Sequence, residues 1–286
     1  MSVDNYYVPA QSKWPIIGAV AVFSMVLSTA LMITGSDIAS MLFIFSSCLM
    51  AYMLFGWFQT VIQESQQGLY SDQLNRSFRI GMLWFIFSEF MFFAAFFGAL
   101  FYARTLSVPW LGGADNNAMT GAVLWPEFVS SWPLLKTPDG TETTQMGWYG
   151  LPLVNTILLL TSSITAHLAH SALEKDNRKM LKIWLGFTIL LGVVFLFLQV
   201  VEYMHGYSEE MKLYLTSGIY GSTFYMLTGF HGMHVTLGTI MLIAVFLRVL
   251  KGHFTPTNAF AFEAASWYWH FVDVVWVILF VFVYIL

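Results

Sequence analysis

The sequence predicts an all-α, multi-pass membrane protein, and three observations carry that prediction. Of 286 residues, 58% are hydrophobic and only 10% charged, and the mean hydropathy is +0.68. A water-soluble domain of this size needs far more charged surface, so lipid must be the solvent for most of the chain. Several apolar windows reach the roughly 20 residues that a helix needs to cross the hydrocarbon core. Charged residues punctuate the chain between these windows instead of alternating through them.

Seven spans follow from the intervals between charges. They run from about Pro15 to Thr34, Ile38 to Gln63, Ile80 to Ala103, Gly150 to Leu173, Ile183 to Val201, within Gly218 to Leu247, and from near Ala264 to Leu286. Each backbone amide in lipid has to be bonded inside its own segment, which leaves helices as the economical reading. With the N-terminus cytoplasmic, the inner loops hold Lys13, Arg76, Arg79, Lys175, Arg178, Lys179, Lys182, Arg248 and Lys251, and the outer loops only Arg104, Lys136 and Lys212. That bias of basic residues orients the bundle and puts the C-terminus outside. The outer side also collects acids, among them Asp37, Asp115, Glu127, Asp139, Glu142, Glu202, Glu209 and Glu210.

The chain divides into 1–70, a tail with the first two helices, and 71–286, a five-helix bundle with a long outer loop at 104–149. That loop is rich in Gly, Pro, Trp and Asp/Asn and reads as turns. The polar connection Tyr70–Phe78 separates the two groups. No internal repeat is evident, which argues against an inverted-repeat transporter. The net charge of -4 includes no basic block suited to nucleic acid. Cys48 is the only cysteine, so neither a disulfide framework nor a thiolate metal site is available. The opening stretch, MSVDNYYVPAQSKWP, lacks a basic n-region and a cleavage signal and does not read as a secretory leader.

Ionisable groups at bilayer depth need a partner or a task. Glu89 lies mid-span in WFIFSEFMFFAAFF. His167 and His170 share a helix face, as do His231 and His234 in GFHGMHVTLG, and His270 and Asp273 in WYWHFVDVVW. A haem or metal site built from the histidine pairs is one reading, with Gly229 and Gly232 making room; interhelical hydrogen bonds are the other and the preferred one. Glu89 is expected to be a neutral carboxyl, since Phe85, Phe87, Phe90, Phe92 and Phe93 surround it and a buried charge is expensive. Its hydrogen-bond partner is expected to be His231 or His234, with His234 favoured. Trp110, Trp125, Trp132 and Trp148 read as an interfacial belt.

Long strings in this chain resemble the third subunits of cytochrome c oxidase. GIYGSTFYMLTGFHGMHVTLGTIMLI and FEAASWYWHFVDVVWVILFVFVYI are similar to the end of that family, RIGMLWFIFSEFMFFAAFFGALFYAR to its third helix with its buried acid (here Glu89), and PLVNTILLLTSSITAHLAHSAL to its fourth. The resemblance runs almost continuously from about Trp57 to the C-terminus, outside the outer loop. It implies seven helices split into groups of two and five by a V-shaped cleft that holds phospholipids. It also implies that haem and copper belong to the first and second subunits, with no redox centre, catalytic residue or metal ligand in this chain. The third subunit would pack mainly on the first, support proton uptake and extend the working life of an enzyme fed by cytochrome c.

The expected phosphate anchor in that cleft is Arg248, with Lys251 and His253 close by at the cytoplasmic end of the sixth helix and Trp57 and Glu64, at the same membrane face, as candidate partners across it; a plain positive-inside cluster is the alternative. This sequence departs from mitochondrial members in QESQQGLYS, where Gln63, Leu69 and Tyr70 replace a basic residue and a histidine pair. It also carries Gly98 in place of a bulky aromatic, and a longer outer loop. These departures suit a bacterial member in the inner membrane. Quinol oxidases are the runner-up, although their equivalent subunit usually lacks the first two helices. A transporter using Glu89, His231 and Asp273, or an autonomous haem protein, would be different classes of function.

Overall fold

The computed structural model describes residues 11–286; the leader question above therefore lies largely outside the described residues. Among these, seven helices are long and apolar enough to cross a membrane, and no strand forms. We label them α1 (Trp14–Ile33), α2 (Ala39–Gln66), α3 (Asp72–Tyr102), α4 (Leu151–Glu174), α5 (Arg178–Gly206), α6 (Ile219–Leu250) and α7 (Phe260–Leu279). The chain resolves into two compact units, one ending at Ile80 and a second, Gly81–Leu286, so the boundary falls within α3.

In the first unit, α1 and α2 pack through small residues. Ala21, Ser28, Ala39 and Ser46 are fully buried, and a Cβ on Gly56 would overlap the Trp14 ring. Trp14 donates its indole N–H to Thr60 Oγ1 at 3.2 Å. Lipid tails are as apolar as leucine, so close backbone approach and such polar staples hold helices together in place of a hydrophobic drive.

Two sequence boundaries move. Asp72–Phe78, expected to be a polar connection, is already the first part of α3. At the other end α3 does not stop at Arg104 but continues as a π-helical turn, Ala103–Ser107, and a short α-helical piece, Val108–Leu111. Charged and polar residues end a hydrophobic window without ending the backbone hydrogen-bond ladder, and Asp72 in the first turn favours the helix dipole.

The outer loop is tied to the rest of the second unit by hydrogen bonds. Thr144 N–H donates to the Met211 carbonyl at 2.9 Å, and Met146 N–H to Tyr220 Oη at 3.1 Å. Gly218 enters α6 with φ +89°, where a Cβ would meet the Thr137 methyl at 2.5 Å. Glycine is required there by both conformation and space. Within the loop, the Thr137 hydroxyl and then the Thr141 amide hold the Asp139 carboxyl below its ordinary value of 3.8. A depressed carboxyl contributes order above pH 3.8 and loses it as pH falls through the lower folded value. Hydrogen exchange at the Thr141 amide, corrected for intrinsic rate, is therefore expected to accelerate only below about pH 4.

In the second unit α4 through α7 bury a continuous core around Phe195, Phe224, Trp269, Trp276 and Tyr284. α4 and α7 run antiparallel in a register set by two indole hydrogen bonds, Trp276 to Thr156 Oγ1 and Trp269 to Ser162 Oγ, both 3.0 Å. Tyrosine and tryptophan buried in lipid-facing bundles need such partners for their polar ends.

Candidate functional site

The mid-span acid and one histidine come together inside the second unit. Glu89 Oε2 lies 2.7 Å from His234 Nε2, with side-chain exposures of 23% and 5%. On its other side His234 Nδ1 is 2.6 Å from the Phe230 carbonyl. A carbonyl only accepts, so Nδ1 carries a proton. The contact between Nε2 and Oε2 then needs one further proton, on the carboxyl or on the imidazole. Either way the pair is neutral overall, which makes it tolerable at membrane depth. Phe93 and Phe92 cover the imidazole at centroid distances of 4.9 and 5.8 Å, and Tyr268 stacks beyond it at 6.5 Å. Phe85, Phe87 and Phe90, expected to surround the acid, are instead exposed.

His231 is elsewhere. It is fully buried among Trp276, Phe195 and Phe93, at centroid distances of 5.1, 5.9 and 6.5 Å, and neither ring nitrogen has a hydrogen-bond partner. The expectation that the histidine pairs are accounted for by hydrogen bonds therefore fails for His231. Three residues along a helix leave two side chains about 60° apart, enough to put one on the α3 side of α6 and the other on the α5–α7 side. Among the described residues no three His, Cys, Asp or Glu side chains gather as a metal-binding group.

The basic cluster is built by a helix ending. Gly252 has φ +73°, its N–H bonds the Val249 carbonyl at 3.1 Å, and His253 N–H bonds the Arg248 carbonyl at 3.1 Å. This left-handed cap closes α6 and gathers Arg248, Lys251 and His253. The Arg248 guanidinium lies over the Phe254 ring at 4.5 Å. Desolvation and the cations of Arg248 and Lys251 hold the His253 imidazole below its ordinary 6.5, so at neutral pH it is uncharged. Trp57 and Glu64 lie in the first unit, where Trp57 stacks on Phe58 at 5.9 Å and Glu64 accepts a hydrogen bond from Tyr70 Oη at 3.0 Å.

Two polar side chains, Glu202 and Ser163, escaped the reading of the sequence. Glu202, assigned to an outer loop, lies inside α5 with 1% exposure and accepts a 2.7 Å hydrogen bond from Tyr284. Gln199, one turn earlier, was the available signal that the buried stripe continued past Val201. The other group joins α4 and α7: Ser163 Oγ lies 2.7 Å from His270 Nδ1, with Asp273 Oδ2 3.7 Å from the same nitrogen.

A family model described as cytochrome c oxidase subunit III matches residues 4–286. Cytochrome c oxidase subunit 3 of Equus caballus is 38% identical over 98% of this chain and 96% of its own length. The Dugong dugon protein of that name is 39% identical at the same coverage, and that of Halichoerus grypus 38%. With a family match over residues 4–286 and an acid–histidine pair in the bundle, the chain belongs to the cytochrome c oxidase subunit III family.

Proposed function

We propose that this chain is the third subunit of a proton-pumping cytochrome c oxidase in aerobic electron transport, in a bacterial inner membrane with its N-terminus cytoplasmic and its C-terminus periplasmic. The near full-length family match carries this reading. In it the chain holds no redox centre, packs on the first subunit and touches the second, and supports proton uptake and turnover stability. Two further helices, α1 and α2, favour cytochrome c over quinol as the electron donor of the complex. Purification of the tagged chain in gentle detergent is the test. Haem-copper subunits and cytochrome c oxidation should accompany it; a preparation without haem, or one oxidising only quinol, would overturn the reading.

Clean removal of the chain is expected to leave haem content and initial electron transfer largely intact, while activity decays sooner during sustained turnover. Haem loss on removal would contradict the non-catalytic role.

The basic cluster supports a lipid-binding role. In the proposal, a phospholipid phosphate lies on Arg248, Lys251 and His253 of the second unit, and Trp57 and Glu64 of the first unit are separate candidate head-group contacts. A hydrogen bond to a charged group is worth about 1.5–3 kcal/mol, so R248Q should weaken retention of phosphatidylglycerol about tenfold or more in native mass spectrometry of the complex. Equal retention would count against the site. A bound phosphate favours the protonated His253 imidazole, so retention should rise as pH falls toward 6.5.

A further inference from the structure

We infer that the second unit holds a buried water site in the outer part of its helix bundle, lined by Asn155 of α4, Gln199 and Glu202 of α5 and His231 of α6.

Helix register brings these side chains together. α4 and α5 run antiparallel, with Thr165 Oγ1 2.8 Å from Thr188 Oγ1. Toward the outer loop the Trp269 ring of α7 bridges the same two helices. Its N–H bonds Ser162 Oγ of α4 at 3.0 Å, and a Cβ on Gly192 of α5 would come within 2.7 Å of it. Seven residues from Ser162 lies Asn155, and seven from Gly192 lies Gln199. Each step is about two helical turns and returns to the same face, so the two amides stand opposite each other. Glu202, one turn beyond Gln199, accepts a 2.7 Å hydrogen bond from Tyr284 through Oε1. His231 closes the inner side, 5.1 Å from the Trp276 ring, and Trp276 in turn bonds Thr156, the residue after Asn155.

All four lining residues are at most 5% exposed. Seven of their polar atoms nevertheless have no hydrogen-bond partner among the described residues: both amide atoms of Asn155 and of Gln199, Oε2 of Glu202 and both ring nitrogens of His231. Gln199 faces the hydroxyls of Tyr203 and Tyr284 but is outside hydrogen-bond geometry with either. Polar groups that face each other beyond direct bonding distance are the usual setting for a bridging water.

Magnitudes decide between a dry and a wet site. One buried polar atom without a partner shifts the folding equilibrium by about 5- to 100-fold. Seven together would cancel the whole stability of an ordinary domain. Water fits the set because amides and an imidazole offer both donors and acceptors, and water supplies both. A buried water makes about three hydrogen bonds, so about two or three molecules satisfy the seven atoms. The way in is short. Asn155 and Glu202 each lie four residues from the outer end of their helix, a depth of about 6 Å.

The test uses the full chain in its native membranes. An X-ray pulse splits bound water where it sits, and the hydroxyl radical oxidises the nearest side chain; isotope-labelled water marks the added oxygen. Trp276 and Trp269 form a matched pair, since both are wholly buried and both indole N–H groups are bonded. Trp276, beside His231, should take up the label several-fold faster than Trp269, and Tyr284 should be labelled with it. Equally slow labelling of the two tryptophans would overturn the inference. Q199L supplies a second readout. In a wet site it strands water and the Glu202 carboxyl, so unfolding should become about 5- to 100-fold more favourable and the label on Trp276 should fall. In a dry site leucine removes two unpaired atoms and should stabilise the chain, which would overturn the inference. Protection from unfolding by sodium ions at constant ionic strength would assign the site to a cation and overturn it as well.

Discussion

Replacing His234 with leucine is expected to be among the more damaging single changes in the second unit, at about 1–3 kcal/mol, because it leaves the partly buried Glu89 carboxyl without its partner. Glu89 Oε2 has His234 Nε2 at 2.7 Å, and the phenylalanines over the imidazole offer no substitute donor or acceptor. Glu89→Gln should be much milder, within about 1 kcal/mol, since the amide N–H still reaches a neutral Nε2 whose partner nitrogen is held by Phe230. The double change Glu89→Leu with His234→Leu should recover most of the loss, because two apolar side chains leave nothing unsatisfied. Unfolding in mixed micelles, read as a double-mutant cycle, measures the coupling. A coupling near zero would mean that the contact carries no energy. Infrared spectroscopy locates the proton: a neutral-carboxyl band at pH 7 that vanishes in E89Q puts it on Glu89, and absence of the band puts it on the imidazole.

Trp269→Ala is expected to loosen α5, α6 and α7 from one another, at about 3–5 kcal/mol for loss of a fully buried aromatic. The indole is wholly buried and wedged between two glycines. A Cβ at Gly192 would come within 2.7 Å of its ring, and one at Gly238 within 2.9 Å. In lipid the transfer component of that loss largely disappears, because the side chain leaves one apolar medium for another. What remains is lost packing and the broken bond to Ser162, which places the outcome at the lower end of the range. Gly238→Leu tests the same wedge from the other side and should be at least as disruptive, since a rigid ring and not a flexible chain end is in the way. Retention of helical secondary structure with loss of the cooperative unfolding transition is the expected signature. Wild-type unfolding of both variants would mean that the glycines are not packing sites.

The number of spans and the all-helical class were legible because lipid imposes one-dimensional rules: a window must be long enough, apolar enough and internally hydrogen-bonded. Those rules mark where a chain enters the hydrocarbon and say little about where a helix stops. Hence α3 begins at Asp72 and its helical path runs beyond Arg104, while the sequence window ended at the charges on both sides.

That Glu89 needed a partner was also evident from its neighbours, since an isolated acid among phenylalanines is untenable in lipid. Which histidine meets it depended on how α3 and α6 are rotated against each other, and a single sequence does not encode that angle in any local signal. Glu202 shows the converse. Its position near a span end looked like solvent, and only Tyr284, 82 residues away, makes its burial tolerable.

Chain-local chemistry thus determined membrane class, span number and the identity of the residues that needed explaining. Packing alone decided which of them meet, because the rotation and register of each helix are set by side chains from several others at once. His231 and His234 differ by three positions, yet one is bonded to an acid and the other lies among aromatic rings.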